Sequence, residues 1–294
     1  MRIAFFGTPE FAVPTLEALA ASHEVVLVVA QPDKPSGRGM KMHAPAVAVR
    51  ASELGLSLLQ PAKVRSEEFL SELRSIHPEI AIVVAYGKIL PASLLEIPAR
   101  GFLNVHGSVL PRWRGAAPIQ RAIAAGEATT GVTIMRVDAE LDHGPMLAVA
   151  TLDIGPDEHT PELARRMSQM GAELLLHVLS QPSVEEIPQD HELATHAAKI
   201  GKEEGLVRWT DPARSIYDRF RAFDPWPGIF TDSLKLVDIA PAEGRGEPGT
   251  VLQIRDDGVV VACGEGALRL ITVQRAGKPR VPAVELARSR ALNL

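Results

Sequence analysis

The sequence predicts an α/β protein: a domain built on a mostly parallel sheet, followed by a smaller β-barrel domain. Three observations carry this. Continuous apolar runs rich in β-branched residues recur through the first part of the chain and alternate with stretches that are apolar at helical spacing. Runs of that kind are buried on both faces, as in a parallel sheet covered by helices. Beyond a polar, aperiodic stretch, short strand-like segments separated by turn residues follow at the spacing of a small antiparallel barrel.

Taken in order, "RIAFF" (2–6) and "EVVLVVA" (24–30) read as strands joined by a helix over "VPTLEALAAS", with Pro14 suited to its first turn. "AVAVRASELG" reads as a helix and "LSLLQ" as a strand. "SEEFLSELRSI" reads as a helix capped by Ser66, with two acids in its first turn. "EIAIVVA" (79–85) and "GFLNV" (101–105) continue the sheet, "GVTIMRVD" and "PMLAVATLDI" add two strands, and "TPELARRMSQMGAELLLHVLS" is a long amphipathic helix that closes the domain. The expected organisation is a first domain over 1–180, a linker over 181–205 and a second domain over 206–294. The second opens on the helix "PARSIYDRFRAF", and its strands are "LKLVDIA", "GTVLQIRD", "GVVVACG" and "ALRLITVQ".

Hydrophobic residues at 46% and charged residues at 23% mark a soluble globular chain, and no apolar run approaches the roughly 20 residues of a membrane span. The opening "MRIAFFGTPEF" reads as a first strand rather than a signal peptide. Cys263 stands alone, which leaves no internal disulfide and no four-cysteine zinc site, so a cytoplasmic protein is expected. No H-E-x-x-H or Cys–His cluster occurs, and no metal is expected. The first turn lacks G-x-G-x-x-G, and "GRGMK" (37–41) lacks the Lys-Ser/Thr ending of a phosphate loop. Nicotinamide chemistry and nucleoside triphosphate hydrolysis are thereby disfavoured.

The formal net charge of −5 argues against indiscriminate polyanion binding, but charge is uneven. Residues 31–50 hold Lys34, Arg38, Lys41 and Arg50 against Asp33. Residues 269–290 hold Arg269, Arg275, Lys278, Arg280, Arg288 and Arg290 against Glu285. Such stretches suit a localised polyanion contact, and equally suit plain solvated faces.

The chemistry concentrates in "GFLNVHGSVLPRWRGAAPIQRAIAAG" (101–126), where Asn104 and His106 fall at the carboxyl end of a strand. Open parallel sheets bind ligands there. Asp142, in "LDHG", is expected at a similar strand end. An amide donor, an imidazole and a carboxylate brought together suit acyl transfer: the amide meets a developing oxyanion, the imidazole moves a proton and the carboxylate orients it. Singly, a His after a buried strand is ordinarily a hydrogen-bonded loop residue, and an Asp before a Gly is ordinarily a turn former. Asn104 is harder to explain away, because an unpaired buried amide costs about 1–3 kcal/mol. Ser108 lacks the G-x-S-x-G elbow and Cys263 belongs to the other domain, so direct transfer between two bound substrates is expected.

"NVHGSVLPRWRGAAPIQRAI", "FFGTPEFAVPTLEAL", "QPDKPSGRGMK" and "FDPWPG" together resemble the methionyl-tRNA formyltransferase family, from Ile3 to about Arg290. The most specific pieces are "WRGAAPIQRA" and "GTPEFAVP"; the N-x-H pattern with a later Asp is shared more widely among enzymes that use 10-formyltetrahydrofolate. The resemblance implies a Rossmann-like catalytic domain and an OB-like, tRNA-binding second domain. It implies formyl transfer from 10-formyltetrahydrofolate to the α-amine of methionyl initiator tRNA, by a monomer with no metal and no membrane partner. It puts the catalytic roles on Asn104, His106 and Asp142, folate binding on Ser108, Val109, Leu110 and Pro111, and tRNA binding on Arg38 and Lys41, within a basic loop over Pro35 to Met42. The sequence departs from the family pattern at Val109, where Leu is usual, at His143, where a small hydroxyl residue is usual, and at Met40, Met42 and His43, where further charge is common. Two alternatives stand beside this: a folate-dependent formyltransferase acting on a nucleotide-linked amino sugar, and a catalytically silent tRNA-binding module. The basic loop and basic small domain discriminate against the first, the retained trio against the second.

Overall fold

The first apolar run becomes the centre of the larger sheet in the computed structural model, which describes residues 1–36, 41–289 and 291–294. Seven strands form this sheet: β1 (Arg2–Gly7), β2 (Glu24–Val29), β3 (Leu58–Leu59), β4 (Ile80–Val84), β5 (Phe102–His106), β6 (Thr129–Arg136) and β7 (Met146–Asp153). Their order is β7-β6-β5-β4-β1-β2-β3. Strands β1 to β5 run parallel, and every residue of β4 is buried, which explains its uninterrupted apolar sequence. The last two strands depart from that pattern: β6 runs antiparallel to β5, and β7 antiparallel to β6. At the sheet's edge, β7 alternates half-buried and exposed residues along its later half. The strand order reverses between β1 and β4, the point where doubly wound sheets open a crevice at the carboxyl ends.

Six helices of the fold are α1 (Val13–Ser22), α2 (Ala46–Glu53), α3 (Glu67–Ile76), α4 (Pro118–Ala124), α5 (Thr160–Ser180) and α6 (Ala213–Ala222), all but α4 at expected places. Ser66 caps α3 as predicted, its hydroxyl accepting from the Phe69 amide at 3.5 Å. Phe69, Leu70 and Leu73 of this helix enter a core with Phe6, Tyr86 and Phe102, where the Phe6 ring meets Phe69 and Tyr86 edge-on at centroid distances of 6.4 and 5.6 Å. Each such side chain contributes about 1.5–3 kcal/mol by leaving water.

The chain divides into two compact units. One comprises Met1–Pro118, Thr129–Asp153 and Ala164–Ala197; the other comprises Ile119–Ala128, Ile154–Leu163 and Ala198–Leu294. The stretch expected as a linker therefore divides at Ala197, and two segments from earlier in the chain join the second unit. Buried Arg221 of α6 shows how one is held: it pairs with Asp218 at 2.5 Å and donates to the carbonyls of Gly155 and Glu158 at 3.2 and 3.0 Å.

The second unit carries a six-stranded antiparallel sheet made of β8 (Ile229–Phe230), β9 (Leu234–Ala242), β10 (Val251–Arg255), β11 (Gly258–Ala262), β12 (Ala267–Arg275) and β13 (Arg280–Pro282), with α7 (Ala283–Arg288) after it. The order is β8-β9-β12-β11-β10, with β13 also on β12. All four segments expected as strands form them. Among the described residues no helix is long and apolar enough to cross a membrane.

Candidate active site

Asn104 and His106 lie two residues apart on β5, and the side chains of such a pair project to the same face of the sheet. His106 is buried and Asn104 half-buried. Asp142 reaches them by a different route from the one its sequence position indicates. Because β6 is antiparallel, Arg136 at its end pairs with Leu103, toward the beginning of β5 rather than its carboxyl end. Residues 137–145 then turn back, closed by the Arg136 amide on the Pro145 carbonyl at 2.9 Å. Asp142 sits in this return with a left-handed φ of 49°, a conformation that Asp tolerates better than most residues. Gly144 follows where a Cβ would fall 2.2 Å from the Arg136 carbonyl oxygen.

The three predicted side chains meet around one carboxylate. Asn104 Nδ2 donates to Asp142 Oδ1 at 3.2 Å, and His106 Nδ1 stands 3.6 Å from the same oxygen. The other oxygen, Oδ2, accepts from the Gly115 amide at 2.9 Å. On the far side of the imidazole, Nε2 lies 3.0 Å from the Trp113 carbonyl. A carbonyl only accepts, so Nε2 carries a hydrogen and Nδ1 is the nitrogen that faces Asp142.

The segment after β5 frames these groups. The Ser108 hydroxyl is buried and donates to the Arg112 carbonyl at 2.6 Å, so it is not presented as a nucleophile. Thr133 Oγ1 donates to the Ser108 carbonyl at 2.7 Å and accepts from the Leu110 amide at 3.1 Å. Of the four residues expected at folate, Ser108 and Leu110 are buried, while Val109 and Pro111 are partly exposed. The Leu110–Pro111 bond is cis. Trp113 has a left-handed φ of 60°, and its amide donates to Thr195 Oγ1 at 2.9 Å. Arg114 and Gly115 pair in parallel with His196 and Ala197, and Gly115, at φ 123°, has the Ala197 carbonyl 2.7 Å from where a Cβ would sit. Only glycine fits that approach without strain.

Sequence reasoning missed several groups around Asp142. Gln189, buried, donates through Nε2 to the carbonyls of Asp142 and Gly144 at 3.0 and 2.7 Å, and its Oε1 accepts from Arg114. It stands in a polar, aperiodic stretch, and no sequence signal marks it. His143, the second imidazole expected near the site, is turned to its own loop: Nδ1 is 2.7 Å from Asp138 Oδ2, and its ring stacks on His191 at 4.0 Å.

Of the two residues expected at tRNA, Lys41 lies exposed on the short strand Lys41–His43, which pairs with Lys34–Ser36, and Arg38 lies outside the described residues. In the second unit, Arg275, Lys278 and Arg280 are exposed, whereas Arg269 pairs with Asp257 and Arg288 with Asp256 at 2.6 Å. Among the described residues no three His, Cys, Asp or Glu side chains gather where they could hold a metal ion.

The fold is a doubly wound sheet with Asn, His and Asp meeting beside β5, and comparison with known proteins shows the family. The formyl transferase family matches residues 1–179, and the formyl transferase C-terminal domain family matches residues 199–291. The methionyl-tRNA formyltransferase of Deinococcus radiodurans is 49% identical over 288 residues, covering 96% of this chain and 91% of that one. The enzyme of the same name from Thermus thermophilus is 48% identical over 293 residues, covering 98% and 96%. The chain belongs to the methionyl-tRNA formyltransferase family. Among solved structures, an N-formyltransferase from Helicobacter canadensis with folinic acid and dTDP-3-aminofucose superposes with a TM-score of 0.70 at 14% identity, over 92% of this chain and 98% of that chain. HypX from Aquifex aeolicus with tetrahydrofolic acid gives a TM-score of 0.65 at 20% identity, and there this chain covers 97% of itself but 46% of its counterpart. At those identities the likeness is one of fold.

Proposed function

We infer that this chain transfers the formyl group of 10-formyltetrahydrofolate to the α-amino group of methionyl initiator tRNA, the step that prepares the initiator for translation. The observation that carries the chemistry is the single carboxylate of Asp142 shared by Asn104, Gly115 and His106. The acceptor rests on the near full-length match to relatives that bear that name. The amino-sugar alternative is supported only by likeness of fold, and a silent module leaves the trio unused.

In the reaction, the neutral amine nitrogen bonds to the formyl carbon, the bond from that carbon to N10 of the folate breaks, and the proton lost by the amine is balanced by one gained at N10. One N–H of the Asn104 amide is held by Asp142, which fixes the other for the oxyanion that develops at the formyl carbon. As an imidazolium, His106 adds positive charge beside the oxyanion while its Nδ1 stays turned to Asp142. A donor of this kind contributes about 10²–10³-fold, and positioned proton transfer about 10²–10⁴-fold. Asp142 stabilises the charged imidazole and takes part in carrying the amine's proton. Ser108 to Pro111 form one side of the folate site. Arg38 and Lys41 grip the acceptor end of the tRNA, and the second unit offers Arg275, Lys278 and Arg280 to RNA. The enzyme works as a cytoplasmic monomer, with a catalytic domain over 1–180 and a tRNA-binding domain over 206–294.

Asp142→Asn tests the core of this, because Asn also adopts a left-handed φ and the substitution removes the charge without forcing the turn. Turnover is expected to fall by about 10²-fold or more, with little change in KM for the folate. Retention of most of the turnover would remove Asp142 from the mechanism.

A further inference from the structure

We propose that Gln189 is a positioning residue for the catalytic carboxylate, locking the return turn that carries Asp142 to the segment that supplies Gly115. The proposal rests on the role given to Asp142 above. The Gln189 side chain is buried at 5% exposure, yet all of its hydrogen-bonding capacity is used. Both N–H bonds of Nε2 go to the turn, to the carbonyls of Asp142 at 3.0 Å and Gly144 at 2.7 Å. Oε1 accepts a fork from Arg114, from Nε at 3.1 Å and Nη2 at 2.7 Å. Chemistry fixes that orientation. Exchanging the amide's oxygen and nitrogen would set an oxygen against two carbonyls and an NH₂ against a guanidinium, leaving all four contacts repulsive.

The consequence follows from where the two ends of this bridge lie. Asp142 holds φ at 49°, a region that non-glycine residues occupy only when their surroundings over-determine it. Gln189 bonds the carbonyl of that very residue. Arg114, at the other end, is the neighbour of Gly115, whose amide holds Oδ2 at 2.9 Å. One side chain thus sets the distance between the turn that bears the carboxylate and the strand that receives it. The same Arg114 reaches His191 Nδ1 at 2.8 Å, and His191 stacks on His143, which is tied to Asp138. The buttress therefore touches the turn at His143 as well as at 142 and 144.

The test is formyl transfer to methionyl initiator tRNA by full-length Gln189→Glu, alone and combined with Asp142→Asn. Glutamate keeps the length and the acceptor for Arg114, removes the donor to the turn and sets a carboxylate oxygen against the two turn carbonyls. We expect kcat of Gln189→Glu to fall by about 10–100-fold, with the folate KM and the thermal midpoint near those of the unmodified enzyme. In the Asp142→Asn background the same change should cost little more, because Gln189 acts through that carboxylate. A kcat within about twofold of the unmodified enzyme, or a loss as large in the Asp142→Asn background as in its absence, would overturn the proposal. If Gln189→Glu does not fold, Gln189→Ala is judged by the same two criteria. Should Asp142→Asn alone keep its turnover, the role of Asp142 fails first and Gln189 loses its object. That outcome is distinct from Asp142→Asn losing turnover while Gln189→Glu keeps it.

Discussion

The carboxylate of Asp142 meets an amide hydrogen of Asn104, the backbone amide of Gly115 and the Nδ1 side of His106. Two of these contacts come from β5 and the third from the Arg114–Gly115 strand, so its position is set before substrates arrive. The backbone contact is the one that a single substitution can disturb without touching charge. Gly115→Ala would place a Cβ 2.7 Å from the Ala197 carbonyl at a φ of 123°. Strain of about 1–3 kcal/mol is expected, relieved by a shift that draws the amide off Oδ2. The predicted outcome is a lower thermal midpoint together with a kcat reduced by about 10²-fold, read by melting and by steady-state kinetics. A destabilised enzyme with undiminished kcat would show that the Gly115 contact does not matter to the chemistry. The other reactive side chains are out of play. Burial pushes the Cys263 thiol up to about 11, with an opposing hydrogen bond from the Leu268 backbone, so it remains a neutral thiol at working pH. Tyr86 is pushed up to about 12 by the same cause. Direct transfer between bound substrates fits a site in which the hydroxyl of Ser108 is committed to a carbonyl.

At the scale of elements, α4 belongs with the second unit although it lies within the first part of the sequence. Its Arg121 forms a two-point ion pair with Glu204, at 2.5 and 3.0 Å, and Glu204 also accepts from the Gly201 amide at 2.7 Å. The Arg121 hydrogen bond, helped by that amide and opposed by burial, holds the Glu204 carboxyl below its usual range. A lowered pKa contributes stability in full above the ordinary glutamate range, and that contribution is lost as the pH falls through the lowered value. Glu204→Gln should therefore melt below the unmodified protein at neutral pH, by the equivalent of about 0.5–1 kcal/mol for this partly exposed pair, and the gap should close on acidification. An undiminished gap at low pH would assign the effect to shape rather than charge. Elements were also what the sequence told most clearly. Continuous apolar runs and the Ser66 cap located every strand from β1 to β7 and helix α3. Asn104 and His106 were legible as a site because a parallel strand's carboxyl end is a known address. Strand direction is not written in an apolar run. The antiparallel course of β6 therefore went unseen, and with it the return turn that delivers Asp142. Gln189 was illegible for a different reason: its stretch has no period, and its function lies in contacts with residues far away in sequence.

At the scale of the whole molecule, the proposed acceptor depends on charge. The excess of basic residues near the carboxyl terminus looked larger in sequence than it is in space. Asp256 and Asp257 lie outside the counted stretch, yet they neutralise Arg288 and Arg269. Among the described residues of the two basic stretches, Arg275, Lys278, Arg280 and Lys41 are exposed and form no ion pair with an acid, and Arg290 lies outside the described residues. A polynucleotide acceptor is expected to use such cations, and a small amino-sugar nucleotide is not. The account stands or falls on acceptor choice, so the decisive measurement is formyl transfer from 10-formyltetrahydrofolate with methionyl initiator tRNA, free methionine and an amino-sugar nucleotide offered together. The account predicts formylation of the charged tRNA alone. Transfer to the sugar instead would contradict it, leaving the chemistry of Asn104, His106 and Asp142 in place while overturning the role given to the basic surfaces.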